Sequence, residues 1–270
     1  MPKVSRQEPV TAKKSGIVGK IKPDTQVACG VKICLYGRSG SGKTTLAGTF
    51  PKPLLRIRSP NEARRKSVLI KGADVADPLS LSDLKELAEH QRATKKYATI
   101  VLDNVTDFQD MCLKEVLKVD EIPAQMGWGV ATQSQWGEIG MAMKEMLRSY
   151  ISNLDCHIVV IAQEREFNTE STNEVLSPYV NCALSPSIAG WVGPSVDFLC
   201  QCFLRMDAIP TKKKIGGKEV TINKEVVGFH LRTGPHPVFS TKFTVLQGTK
   251  VPDSIPNPSY NKILSAIAGE

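Results

Sequence analysis

Apolar and polar positions follow two rhythms along this chain. VKICLY (31–36), PLLRIR (53–58), ATIVLD (98–103) and CHIVVIAQ (156–163) are apolar runs of strand length. They predict strands buried on both faces. Between them lie KTTLAGTF (43–50), LSLSDLKELAEHQRA (79–93), DFQDMCLKEVLKV (107–119) and WGEIGMAMKEMLRSYISNL (136–154), where apolar residues recur every three or four positions. This spacing predicts helices; in the last, Ile139, Met143, Met146, Leu147, Tyr150 and Ile151 form one buried stripe. Strand and helix in alternation predict an α/β fold, a mainly parallel central sheet covered by helices on both faces. After VDFLCQCFLRM (196–206) the rhythm becomes β-rich: EVTIN, EVVGFHLRT and KFTVLQ, separated by Gly, Pro and Lys, predict a meander extending one sheet edge.

The same pattern sets the expected domains. Residues 1–26 carry six cations among Pro and Gly without apolar periodicity and are expected to form a flexible basic arm. Residues 27–250 form the core, and 251–270 a proline-punctuated tail ending in a short helix. With 270 residues and 41% hydrophobic content, the chain can bury one sizeable core. No uninterrupted apolar stretch reaches membrane-spanning length, and MPKVSRQEPVTAKK lacks the apolar region of a secretory signal, so a soluble, cytoplasmic protein with no membrane partner is expected. Seven cysteines, without zinc-ligand spacing, read as buried reduced thiols. A net charge of +8 is compatible with a polyanionic partner and does not by itself require one.

Chemistry enters at Gly37, Arg38, Ser39, Gly40, Ser41, Gly42, Lys43 and Thr44, which fit GxxxxGK[ST] between a predicted strand and a predicted helix. Glycines let such a turn wrap its N–H groups around phosphate, and the helix beginning near Lys43 adds its positive end. Lys43 is expected to reach the β- and γ-phosphates, Thr44 to ligate Mg²⁺, and Thr45 to complete the cradle. Asp103 ends a buried strand, where open α/β sheets bind ligands, and is the candidate acid for Mg²⁺. The guanine-recognition pattern NKxD is missing its aspartate at NKEV (223–226), so ATP is the expected nucleotide. Gln163 closes the fourth apolar run and is placed to sense the γ-phosphate. Two long polar segments follow these strands: 164–187, which contains Arg165, and VDEIPAQMGWGVATQSQ, in which Trp128 is either a half-buried anchor or a base-stacking platform.

The order of phosphate loop, Asp-ending strand, helix, loop, helix and Gln-ending strand resembles the RecA/RadA-like P-loop NTPase core. YGRSGSGKTTLAGTF, YATIVLDNVTD, LRSYISNLDCHIVVIAQE, PSVDFLCQCFLR and LRTGPHPVFSTKF are similar, more narrowly, to the phage-encoded RecA-like ATPases of the single-strand annealing type. The resemblance implies an ATP- and Mg²⁺-dependent ATPase that binds single-stranded DNA through two loops, with Trp128 and Arg165 as candidate contacts. It further implies a ring or filament of self-associated subunits, a single-strand-binding protein as a possible associate, and the host cytoplasm. It carries Lys43, Thr44, Asp103 and Gln163 over in the roles given. Such proteins place a glutamate after the second strand to activate water; Glu62 is the nearest carboxylate here and the candidate base. A cation from the neighbouring subunit closes each ATP site in such assemblies, and Arg232 and Lys242 occupy the region that would supply it. The alternatives are a nucleotide or small-molecule kinase, with NEARRK as a short lid, and an AAA+-type DNA motor or loader.

Overall fold

Strand β1 (Lys32–Tyr36) is buried at every position and runs directly into the phosphate-loop sequence. In the computed structural model, residues 30–64, 70–122, 131–168, 179–215, 218–245 and 248–270 are described. The expected N-terminal arm, 1–26, and Trp128 lie outside the described residues. After β1 come α1 (Lys43–Ala47), β2 (Leu54–Arg58), α2 (Pro60–Arg64), β3 (Ala73–Ala76), α3 (Leu81–Thr94), β4 (Thr99–Asp103), α4 (Val105–Leu117) and α5 (Gln133–Ile151). The chain continues through β5 (His157–Ala162), β6 (Glu164–Phe167), β7 (Tyr179–Cys182), α6 (Pro186–Ser195), β8 (Phe198–Ile215) and β9 (Lys218–Arg232), then β10 (Lys242–Phe243), β11 (Ser254–Pro256) and α7 (Tyr260–Ala268).

Nine of these strands form one sheet in the order β11-β9-β8-β1-β5-β4-β2-β3, with β10 beside β8. From β8 through β1, β5, β4 and β2 to β3 every pairing is parallel, as the continuously apolar runs require. Register levels the strand ends: Tyr36 sits opposite Ala162, and Asp103 opposite both Ile161 and Arg58. The loops after β1, β2, β4 and β5 therefore leave the sheet along one edge, the ligand edge of an open α/β fold. Because β5 lies between β1 and β4, the residue after β5 stands between the phosphate loop and Asp103.

Alternate residues of the inner strands point to opposite faces and make two cores. Cys34, Ile57, Ile100, Leu102, Ile158 and Val160 pack under α3 to α6, where the expected stripe of α5 is buried. Ile33, Leu35, Val101, Val159 and Ile161 pack on the other face under α1 and α7, with Leu46, Phe50 and Ile263. Helix starts follow local chemistry: Ser80 and Thr132 both form capping boxes, with Asp83 and Gln135 answering them. The expected α/β architecture, helices on both faces and a β-rich C-terminal extension, is what the fold contains.

Three segments differ from the sequence expectation. The stretch 164–187, read as one long polar loop, holds an antiparallel ribbon in which Glu164 to Phe167 pair with Cys182 to Tyr179. Three consecutive charged residues, Glu164 to Glu166, made β6 read as loop. EVTIN and EVVGFHLRT are one strand, β9, pairing with β8 from Gln201 and Arg232 to Ile215 and Lys218 as a single long hairpin. The tail also joins the core, since β11 pairs with β9, and Tyr260 of α7 lies 4.9 Å from the Phe50 ring.

Candidate functional site

Glycine conformation shapes the loop from Gly37 to Thr44. Gly40 and Gly42 have φ of +81° and +85°, and a Cβ at Gly37 would lie 2.2 Å from the Cys202 carbonyl oxygen. A side chain at Gly42 would come within 3.0 Å of the Phe229 ring, so the loop is pressed against β9. Lys43 is buried and donates to the carbonyls of Gly37 at 2.7 Å and Arg38 at 2.8 Å. Burial pulls its pKa below the ordinary lysine range, while Cys202 and Asp103 push the other way. Within the loop, the buried Ser41 hydroxyl has no hydrogen-bond partner among the described residues. An unsatisfied hydroxyl inside a glycine cradle fits an anion with free oxygens.

The metal side faces this cradle. Asp103, 3% exposed, ends β4, and its Oδ2 accepts from the Thr44 hydroxyl at 3.0 Å. The Asp103–Asn104 peptide is cis. A hydroxyl and a carboxylate are hard oxygen donors, and among the described residues no cluster of three His, Cys, Asp or Glu side chains makes a ready cage. That donor set fits Mg²⁺, which keeps few protein ligands and completes its shell with phosphate and water.

Sequence reading missed Arg56. It lies in β2 at 2% exposure, and its Nε and terminal nitrogen donate to Asp103 Oδ2 at 2.9 and 2.5 Å. The same terminal nitrogen reaches Glu62 Oε1 at 3.4 Å, tying the candidate base to the metal-side acid. An arginine flanked by the buried Leu55 and Ile57 is itself a signal, because a charge there needs a partner.

Gln163 lines the cleft with Ser39 to Thr45, Glu62, Asp103, Asn104, Ile161 and Phe229. Its backbone N–H donates to the Thr106 hydroxyl at 3.1 Å, and its carbonyl accepts from Ala183. Next in sequence, Glu164 accepts from Arg38 of the phosphate loop at 2.9 Å and from Gln201 at 3.0 Å. Gln201 in turn accepts from Arg232 at 3.0 Å, so a polar relay runs from the loop to the late strands. Arg165 lies over the Phe167 ring, which stacks on Tyr179 at 5.2 Å.

The structure thus brings the phosphate-loop residues, Thr44, Asp103, Glu62 and Gln163 into one cleft. Arg232 and Lys242 stand apart from it. Arg232 is held over the Phe203 and Phe239 rings, and Lys242 donates to the Val196 carbonyl at 2.6 Å, beside the end of α6. Among the described residues no helix is long and apolar enough to cross a membrane.

A sequence profile described as AAA domain matches residues 29–244. No curated protein matches the chain. Among solved structures, the flagellar accessory protein FlaH from Methanocaldococcus jannaschii has a TM-score of 0.35 and 11% identity, over 76% of this chain and 78% of that one. The RadB recombinase has a TM-score of 0.36 and 13% identity, over 77% of this chain and 89% of that one. At these scores neither likeness bears on what this chain does.

Proposed function

Because the chain belongs to the AAA domain family, matched over residues 29–244, and is accordingly a P-loop ATPase, we propose that it binds ATP with Mg²⁺ and uses it to control the grip of an oligomer on single-stranded DNA during recombination or strand annealing. One observation carries this reading: Arg38 of the phosphate loop donates to Glu164, the first residue of the β6–β7 ribbon, immediately after Gln163 in the cleft. The Arg38 side chain is 88% exposed, and such a pair contributes under about 1 kcal/mol. A contact that weak adds little to the fold, and a bound phosphate can reset it.

Each residue then has a task. The loop N–H groups, the Ser41 hydroxyl and the Lys43 ammonium hold the phosphates. Thr44 and Asp103 would hold Mg²⁺, which supplies charge neutralisation to the phosphate oxygens when bound. Glu62 orients the attacking water and takes its proton. The Gln163 amide bonds the terminal phosphate and is released when that group leaves, and Glu164 passes the change to the ribbon. The Phe167 and Tyr179 rings with the Arg165 guanidinium form a surface suited to stacked bases, and the +8 net charge favours the DNA backbone.

ATP turnover measured without DNA, with single-stranded DNA and with duplex DNA tests the reading, with Lys43→Ala as control. Stimulation by single strands is expected, and turnover indifferent to them contradicts it. The AAA domain match favours one second reading, a motor or loader acting on duplex DNA. Against it, the described C-terminal part is β8 to β11 with one helix rather than a helical lid. Stimulation confined to duplex DNA would select it.

A further inference from the structure

Arg56 occupies a position where an unpaired charge is costly. β2 has a neighbour on each side, β3 and β4, and the guanidinium is almost wholly withdrawn from solvent. Two of its donors meet on one atom: Asp103 Oδ2 takes both of them and the Thr44 hydroxyl, at 2.9, 2.5 and 3.0 Å. Three donors use up that oxygen, leaving the other carboxylate oxygen of Asp103 for a cation or its water shell. Glu62 shares the same guanidinium at 3.4 Å.

The charges set the consequence. Asp103 and Glu62 together carry two negative charges; Arg56 offsets one through direct contact with both, and Lys43 of the same cleft also acts on the pair. Without Arg56, the pair would attract a divalent ion more strongly even with no phosphate present. With it, a divalent ion gains enough only when phosphate oxygens join the shell.

We propose that Arg56 is a built-in counter-ion that positions Asp103 and Glu62 and makes divalent-metal binding depend on the nucleotide. The inference rests on the nucleotide reading of the cleft but not on DNA. It makes Arg56 a positioning residue, acting through the two carboxylates.

The test counts bound Mn²⁺ by electron paramagnetic resonance on the full chain, with and without ADP, for the wild type, Arg56→Gln and Arg56→Lys. The wild type should bind Mn²⁺ weakly alone and much more tightly with ADP. Arg56→Gln should raise the nucleotide-free affinity roughly tenfold or more, shrinking the effect of ADP, whereas Arg56→Lys keeps the charge and should stay near the wild type. A merely structural arginine would not change that ratio. Equal Mn²⁺ affinities for the wild type and Arg56→Gln overturn the inference and leave the nucleotide reading standing. A wild type that binds no Mn²⁺ even with ADP overturns both. Should Arg56→Gln fail to fold, Glu62→Gln decides: removing one of the two negative charges that Arg56 offsets should weaken Mn²⁺ binding with ADP roughly tenfold, and an unchanged affinity overturns the inference.

Discussion

Gly42 is where backbone conformation and packing constrain the site together. Its φ of +85° disfavours any side chain, and a methyl there would sit 3.0 Å from Phe229. Gly42→Ala should destabilise the fold by about 1–2 kcal/mol, read as a lower midpoint in chemical unfolding, and should weaken binding of a fluorescent ATP analogue. Lys43 behaves differently, since its ammonium is satisfied by two loop carbonyls rather than by core contacts. Lys43→Ala should keep the wild-type unfolding midpoint within about 1 kcal/mol and lose turnover by about 100-fold or more. A midpoint that falls with the activity would assign Lys43 to the fold instead. Gly37 to Thr44, Asp103 and Gln163 were legible in the sequence because each stands at a fixed spacing or at the end of an apolar run. Arg56 was not: PLLRIR reads as a strand, and its partner Asp103 is 47 residues away.

At the scale of elements, what could be read depended on how many residues share one rhythm. β1, β4, β5 and α5 announce themselves because nearly every inner position is apolar. β6 and β7, only half-buried and four residues each, carry no such pattern, and the long β8–β9 hairpin leaves Leu204, Met206, Val227 and Phe229 exposed, so its apolar residues do not all mark a buried face. His157, at the start of β5, shows how an element junction responds to pH. Its Nδ1 accepts from the Val31 N–H at 3.0 Å, and burial, then Lys32, lowers its pKa. A lowered folded-state pKa means that the fold favours the neutral ring. The contribution is complete above the ordinary histidine value of about 6.5 and is lost as pH falls toward the folded-state value. The melting temperature should therefore fall between about pH 7 and pH 5, and less so for His157→Gln, as differential scanning calorimetry at a series of pH values would show. A parallel decline in both proteins would assign the acid sensitivity to other groups.

For the whole molecule, the relay of Arg38, Glu164, Gln201 and Arg232 joins the phosphate loop to the sheet extension, with Gln201 buried and the three charged side chains reaching solvent. On the proposed function, these contacts would couple nucleotide state to ribbon position, with the exposed Arg38–Glu164 pair as the weak link. Glu164→Ala should leave nucleotide affinity nearly unchanged while removing the difference in DNA affinity between ATP-bound and ADP-bound protein. With a net charge of +8, binding to single strands should also weaken steeply as salt rises, in proportion to the phosphates contacted. The central claim is that nucleotide state sets the grip on single-stranded DNA, and fluorescence anisotropy of a labelled oligonucleotide tests it most directly, using a slowly hydrolysed ATP analogue with Mg²⁺ against ADP with Mg²⁺. The account predicts binding at least about tenfold tighter with the ATP analogue, abolished in Lys43→Ala. Equal affinity in the two nucleotide states, or no binding in either, would contradict it.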